Sequence, residues 1–97
     1  HLLLKGVWRP EGRADYTAMA LQLIAAYRAH VAWEPWADLD ARTAALLPGL
    51  MLARIDGKSP VEYITDVRYK DAVRAFARAH LAQPAATLEQ LVHGWSP

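Results

Sequence analysis

Ninety-seven residues allow one small domain, and an apolar share of 54% with four Trp and four Tyr is enough to bury a core and too high for a disordered chain. Eleven Lys and Arg against ten Asp and Glu leave a formal net charge of +1, without the concentrated positive charge of a nucleic-acid binder. There is no Cys, which excludes disulfides and thiolate metal sites and fits a cytoplasmic protein; no apolar run approaches the ~18 residues a membrane span needs.

The chain opens HLLLKGVW, an apolar stretch that reads as the tail of a helix entered part-way. It is too short for a signal peptide and lacks the basic start and cleavage site of one. The expectation is that this stretch was shaped to pack on upstream residues, so that Leu2, Leu3, Leu4 or Trp8 lacks a full environment here. Arg9-Pro10-Glu11-Gly12 then breaks the chain with Pro and Gly together. From Arg13 to Val31 apolar residues recur at helical spacing, and Ala is frequent while Gly is absent. Tyr16, Ala20, Leu23, Tyr27 and Val31 share one face, with Met19 and Ile24 on its shoulders, so this face is the expected inner one.

Pro35 disfavours helical geometry at Glu34 and marks the next stop. Asp38 or Asp40 is the expected cap of a third helix reaching about Ile55, with Leu46, Leu47, Leu50, Met51 and Ile55 as its buried stripe. Pro48 inside it predicts a kink. Gly57 is placed to end this helix in the left-handed region. Ser59-Pro60-Val61-Glu62 reads as a capping box with Pro at the first helical position, and Thr87-Leu88-Glu89-Gln90 repeats the pattern. Between them Asp66 can cap a helix from Val67 to about Gln83, with Tyr69, Val73, Phe76, Ala77 and His80 inward and Asp71, Arg74 and Arg78 opposite. Pro84 stops it. The expected fold is all-α, with five to six short helices and no strand.

Motifs for chemistry are few. His1, His30, His80 and His93 have no partner at the spacing of zinc helices, Ser59 is better read as a cap, and Ser96 stands near the end. The five Gly are scattered, so no phosphate loop is present. Arg68, Lys70, Arg74 and Arg78 are interrupted by Asp71 and read as a solvated face rather than a recognition helix. No catalytic residue and no metal ligand is assigned.

One segment, Leu52 to Tyr63 (LARIDGKSPVEY), gathers charge around a tight turn. One reading is a helix end, a Gly turn and incidental ion pairs. The other is a polar turn at the rim of a cleft, with Arg54, Asp56, Lys58, Glu62 and Tyr63 as candidate substrate-binding residues; there Asp56 and Glu62 would receive hydroxyls or amines.

At this segment the chain resembles a known family. Leu46 to Tyr63 (LLPGLMLARIDGKSPVEY) is similar to the far carboxy-terminal region of bacterial aminoglycoside phosphotransferases, which belong to the kinase-like superfamily. The opening HLLLKGVW and the closing PAATLEQL with Trp95 also resemble helices of that group. The resemblance implies that residues 1–97 form a helical, substrate-side subdomain of a kinase-like fold. The intact parent would transfer the terminal phosphoryl group of ATP, with magnesium, to a hydroxyl of a small-molecule acceptor. The family's His-Gly-Asp loop, its downstream Asn and its metal-binding Asp have no counterpart here, and the chain has no Asn at all. The nucleotide-binding amino-terminal lobe would therefore be a missing partner, this chain alone would be inactive, and self-association is an outlet for uncovered apolar surface. No nucleic acid or membrane partner is expected. The competing reading is a free-standing helical protein-interaction module; a small DNA-binding helical domain ranks third because of the balanced charge.

Overall fold

Helices fill the spans between the Pro- and Gly-containing stops. The computed structural model describes residues 1–95, so Ser96 lies outside the described residues. Five α-helices follow in order: α1 (Leu2–Trp8), α2 (Arg13–Arg28), α3 (Trp36–Asp56), α4 (Val67–Ala82) and α5 (Leu88–Gly94). A 3-10 turn over Pro10–Gly12 joins α1 to α2, and no strand occurs among the described residues. The fold is all-α. The long pair α3 and α4 packs together, α1 packs along α2, and α5 closes against both α2 and α3.

α1 departs most from expectation. Seven residues are too few to hold a helix alone, and this one is stabilised by burial. Leu3, Leu4 and Val7 are buried, Leu4 to 1% exposure, in a core shared with Met51, Ile55, Val73 and Val92. Leu2 packs on the edge of that core. Trp8 is exposed, at 37%, with its ring 5.2 Å from that of Tyr63. Of the four residues expected to include an uncovered one, Leu3 and Leu4 are buried and Trp8 is the one left exposed. Trp95 ties the two ends of the sequence together: its ring is buried and its Nε1–H donates to the Leu3 carbonyl at 3.0 Å.

Three cap assignments also change. α3 begins at Trp36 directly after Pro35, and neither Asp38 nor Asp40 caps it. Asp40 is buried within α3 and accepts from the Leu88 N–H at 2.7 Å, so it secures the start of α5 across the core. Thr87 caps the same end as expected, its Oγ1 accepting from the Gln90 N–H at 3.1 Å. Asp66 caps α4 as expected, accepting from the Arg68 N–H at 2.9 Å. The Ser59-Pro60-Val61-Glu62 box does not start a helix: residues 57–66 are irregular. Val61 and Ile64 are both buried, and the Val61 N–H donates back to the Arg54 carbonyl at 2.8 Å. Anchoring those two side chains outweighs one short turn of helix, and Asp66 captures the next start instead.

Gly57 is not left-handed; its backbone is extended at φ −82° and ψ −169°. Glycine is needed for room, because a Cβ there would collide with the Ala53 carbonyl oxygen. α3 runs unbroken through buried Pro48. On α2 the inner side carries Ala20 with Leu21 and Ile24 packed beside it, while Met19, Leu23 and Tyr27 are exposed and Val31 lies past the helix end. On α3 the inner side is Ala44, Pro48, Met51 and Ile55, with Leu47 half-buried; Leu46 and Leu50 face out. α4 buries Val73 and Ala77 and packs Tyr69 and Phe76 as expected, with His80 half-buried.

Candidate functional site

The charged turn leaves α3 at Asp56 and reaches α4 at Val67. Its ends are braced by two arginines. Arg54, on the last turn of α3, donates from Nη1 to the Ser59 carbonyl at 2.5 Å and so closes the turn over Gly57. Its Nε is buried without a hydrogen-bond partner. Arg74, two turns into α4, holds Asp56 with two charge-assisted bonds, Nε–Oδ2 at 2.8 Å and Nη2–Oδ1 at 2.7 Å. The same guanidinium reaches Asp71 at 2.8 Å. These bonds hold the Asp56 carboxyl below the usual carboxylate range and raise the Arg74 guanidinium further above its ordinary value.

The five candidate residues divide accordingly. Asp56 faces α4 and is committed to Arg74. Tyr63 turns toward α1, half-buried, with its hydroxyl 3.2 Å from His1 Nδ1; burial pushes its phenol pKa up. Arg54 is spent on the turn. Lys58 and Glu62 are exposed and make no hydrogen bond or ion pair among the described residues. The turn therefore holds Arg54 and Asp56 in structural contacts and presents Lys58 and Glu62 to solvent.

Two clefts lie elsewhere, and neither is lined by any of the five. The first, about 650 Å³, lies between α2 and the starts of α3 and α5, lined by Ile24, Arg28, Trp36, Asp40, Thr87 and Glu89 among others. The Arg28 guanidinium sits 5.7 Å over the Trp36 ring in it. The second, about 300 Å³, is apolar, with Leu23, Ile24, Leu47, Met51 and Val92 in its walls. Sequence reading missed both. Asp40 had been assigned to its own helix, and the i, i+4 spacing of Trp36 and Asp40 on one face of α3 was the available signal. No group of three or more His, Asp and Glu able to hold a metal stands together among the described residues. No described helix is long and apolar enough to cross a membrane. Comparison with family models, with curated proteins and with solved structures finds no match to this chain.

Proposed function

We propose that this chain is the helical, acceptor-side part of a cytoplasmic kinase-like phosphotransferase, one that moves the terminal phosphoryl group of ATP to a hydroxyl of a small molecule. The observation that carries the reading is the stretch with the most specific resemblance, Leu46 to Tyr63. It forms a helix end and a braced turn in which Arg54, Asp56, Gly57 and Val61 each have a packing or bonding duty. Residues so constrained leave Lys58 and Glu62 at a defined place on a stiff support, which is what an acceptor wall needs. Phosphoryl transfer relies on holding the hydroxyl in line and on offsetting charge at the phosphates. In this reading Lys58 and Glu62 meet the acceptor's polar groups, while Arg54, Asp56 and Tyr63 keep the turn in place. The residues present do not fit magnesium or a nucleotide: Asp56 is taken up by Arg74, and no second carboxylate stands beside it other than Asp71 on the same guanidinium. No step through ATP or magnesium is assigned to these residues.

The test compares the complete gene product with the 97-residue chain, reading ADP release with magnesium, ATP and a panel of sugars, aminoglycosides, amino alcohols and nucleosides. The complete product turns over with at least one acceptor, and the 97-residue chain does not. Lys58→Ala and Glu62→Ala in the complete product raise KM for the acceptor and leave KM for ATP unchanged. Absence of a His-Gly-Asp loop upstream, or ATP turnover by the short chain that Asp56→Ala abolishes, would defeat the reading. A second reading, a helical module that binds another protein, is favoured by one observation: α1 is buried in a core made by these residues alone.

A further inference from the structure

Carboxylates are seldom buried unless a cation or several hydrogen bonds meet them. Asp40 on α3 is nine-tenths buried, at 9% exposure, and only half of its carboxylate is used. Oδ1 accepts from the Leu88 N–H at 2.7 Å. Oδ2 makes no hydrogen bond or ion pair among the described residues, and it is not sealed in the core. Asp40 stands in the wall of the cleft of about 650 Å³ between α2 and the starts of α3 and α5. A carboxylate offers about four acceptor positions, so strong acceptor capacity is left over in this cleft. The nearest internal cation does not take it up. Arg28 lines the same cleft, but its guanidinium lies 5.7 Å over the Trp36 ring and forms no ion pair with Asp40. Glu89 adds a second carboxylate, met only by His93 at 3.6 Å. One guanidinium against two carboxylates leaves the cleft's charged side chains one negative charge in excess. Leu21, Ile24 and Ala37 supply apolar wall beside them. Small-molecule sites of roughly 300–1,000 Å³ have this make-up, apolar walls with a few polar groups.

We infer that this cleft binds a small amine with an apolar body, its ammonium donating to Asp40 Oδ2 and its body lying against Leu21 and Ile24. An ammonium brings both the charge that the cleft lacks and the donors that Oδ2 lacks. A sugar or other polyhydroxylated body would lose hydration of its hydroxyls against those walls without recovering hydrogen bonds. An anion would meet Arg28 alone, against two carboxylates. None of the five candidate residues at the charged turn lines this cleft, so the inference is independent of the phosphotransferase reading.

Phenethylamine is the probe, with 2-phenylethanol and 3-phenylpropionate as its neutral and anionic counterparts. Binding is read from the indole N–H signal of Trp36 in proton–nitrogen NMR spectra, identified by its loss in Trp36→Phe. The amine should shift that signal with a dissociation constant on the order of 1 mM, as suits so small a ligand. The alcohol and the acid should bind about tenfold more weakly or not at all. Asp40→Asn keeps an oxygen for the Leu88 N–H and removes the charge. It should weaken the amine by about tenfold while circular dichroism and the melting curve stay near those of the parent. Arg28→Gln removes the competing cation and should tighten the amine by about two- to fivefold. Glu62→Gln, outside the cleft, should change nothing. A Trp36 signal unmoved by about 20 mM amine overturns the inference. So does an alcohol or an acid that binds as tightly as the amine, or an Asp40→Asn chain that binds it as the parent does. Tighter binding of Nα-acetyl-lysine amide also overturns it, by assigning the cleft to a side chain of another protein.

Discussion

Replacing Leu4 by Ala removes the branched end of a side chain only 1% exposed, on a helix whose outer neighbours leave it no room to collapse freely. The lost transfer free energy and the cavity left behind act together. Buried Leu→Ala changes cost 2–5 kcal/mol, and a site this enclosed belongs near the middle, about 3 kcal/mol. A domain of this length has a total stability of roughly 5–15 kcal/mol, so the variant stays folded at 25 °C. Its melting temperature should fall by roughly 12–24 °C. Urea unfolding followed by helical circular dichroism measures the loss directly, with the slope against urea unchanged. Leu46→Ala is the matched control: the same chemical change at 66% exposure should cost less than about 0.5 kcal/mol. If Leu4→Ala also costs less than about 0.5 kcal/mol, α1 is not part of this core, and the placement of Leu3, Val7 and Trp95 around it fails as well.

Asp40→Ala should cost about 1–3 kcal/mol in the same urea assay, because the buried Leu88 N–H is left without an acceptor; Asp40→Asn, which keeps an oxygen there, should recover most of it. Gly57→Ala should cost about 1–3 kcal/mol by forcing the end of α3 away from the Ala53 carbonyl, although its φ is open to any residue. The Asp56–Arg74 contact makes stability depend on acid in one direction. A carboxyl with a lowered folded-state pKa leaves the unfolded chain binding more protons, so the contribution is present above the unfolded carboxyl pKa near 4 and fades as pH falls below it. The stability gap between the parent and Asp56→Asn should thus close between about pH 4 and pH 2, and narrow in 0.5 M salt; a gap that widens toward acid contradicts the ion pair.

Much of this architecture can be read along the chain because local chemistry is strong at the stops. The breaks at Pro10 with Gly12, at Pro35 and at Pro84 fall where those residues stand, although Pro48 is carried inside α3. Asp66 and Thr87 cap α4 and α5 because a side-chain oxygen two or three residues before a free N–H needs no distant partner. α4 is legible for a related reason. Its charged residues Asp71, Arg74 and Arg78 lie opposite Val73, Phe76 and Ala77, so periodicity alone orients it.

Where apolar residues surround a helix, periodicity no longer names the inner side. α2 and α3 carry uncharged stretches wide enough to offer several faces, and the packing partners chose Ala20 over Leu23 and Met51 over Leu50. Ala20 is buried in the core that Leu3, Leu4 and Met51 share, a choice no local rule contains. The Ser59 box lost to the anchoring of Val61 and Ile64, and Asp40 was drawn to Leu88 across 48 positions of sequence. The candidate turn divides the same way. Its charges are visible in the residues, but which of them are used up depends on Arg74, 18 positions beyond Asp56. Sequence by itself determined that the chain is helical, where Pro10, Pro35 and Pro84 stop it, and the caps at Asp66 and Thr87, because those energies act over one turn; only the tertiary structure decided which faces are buried, which charges are free and that Ser59 starts no helix, because those depend on what each segment meets.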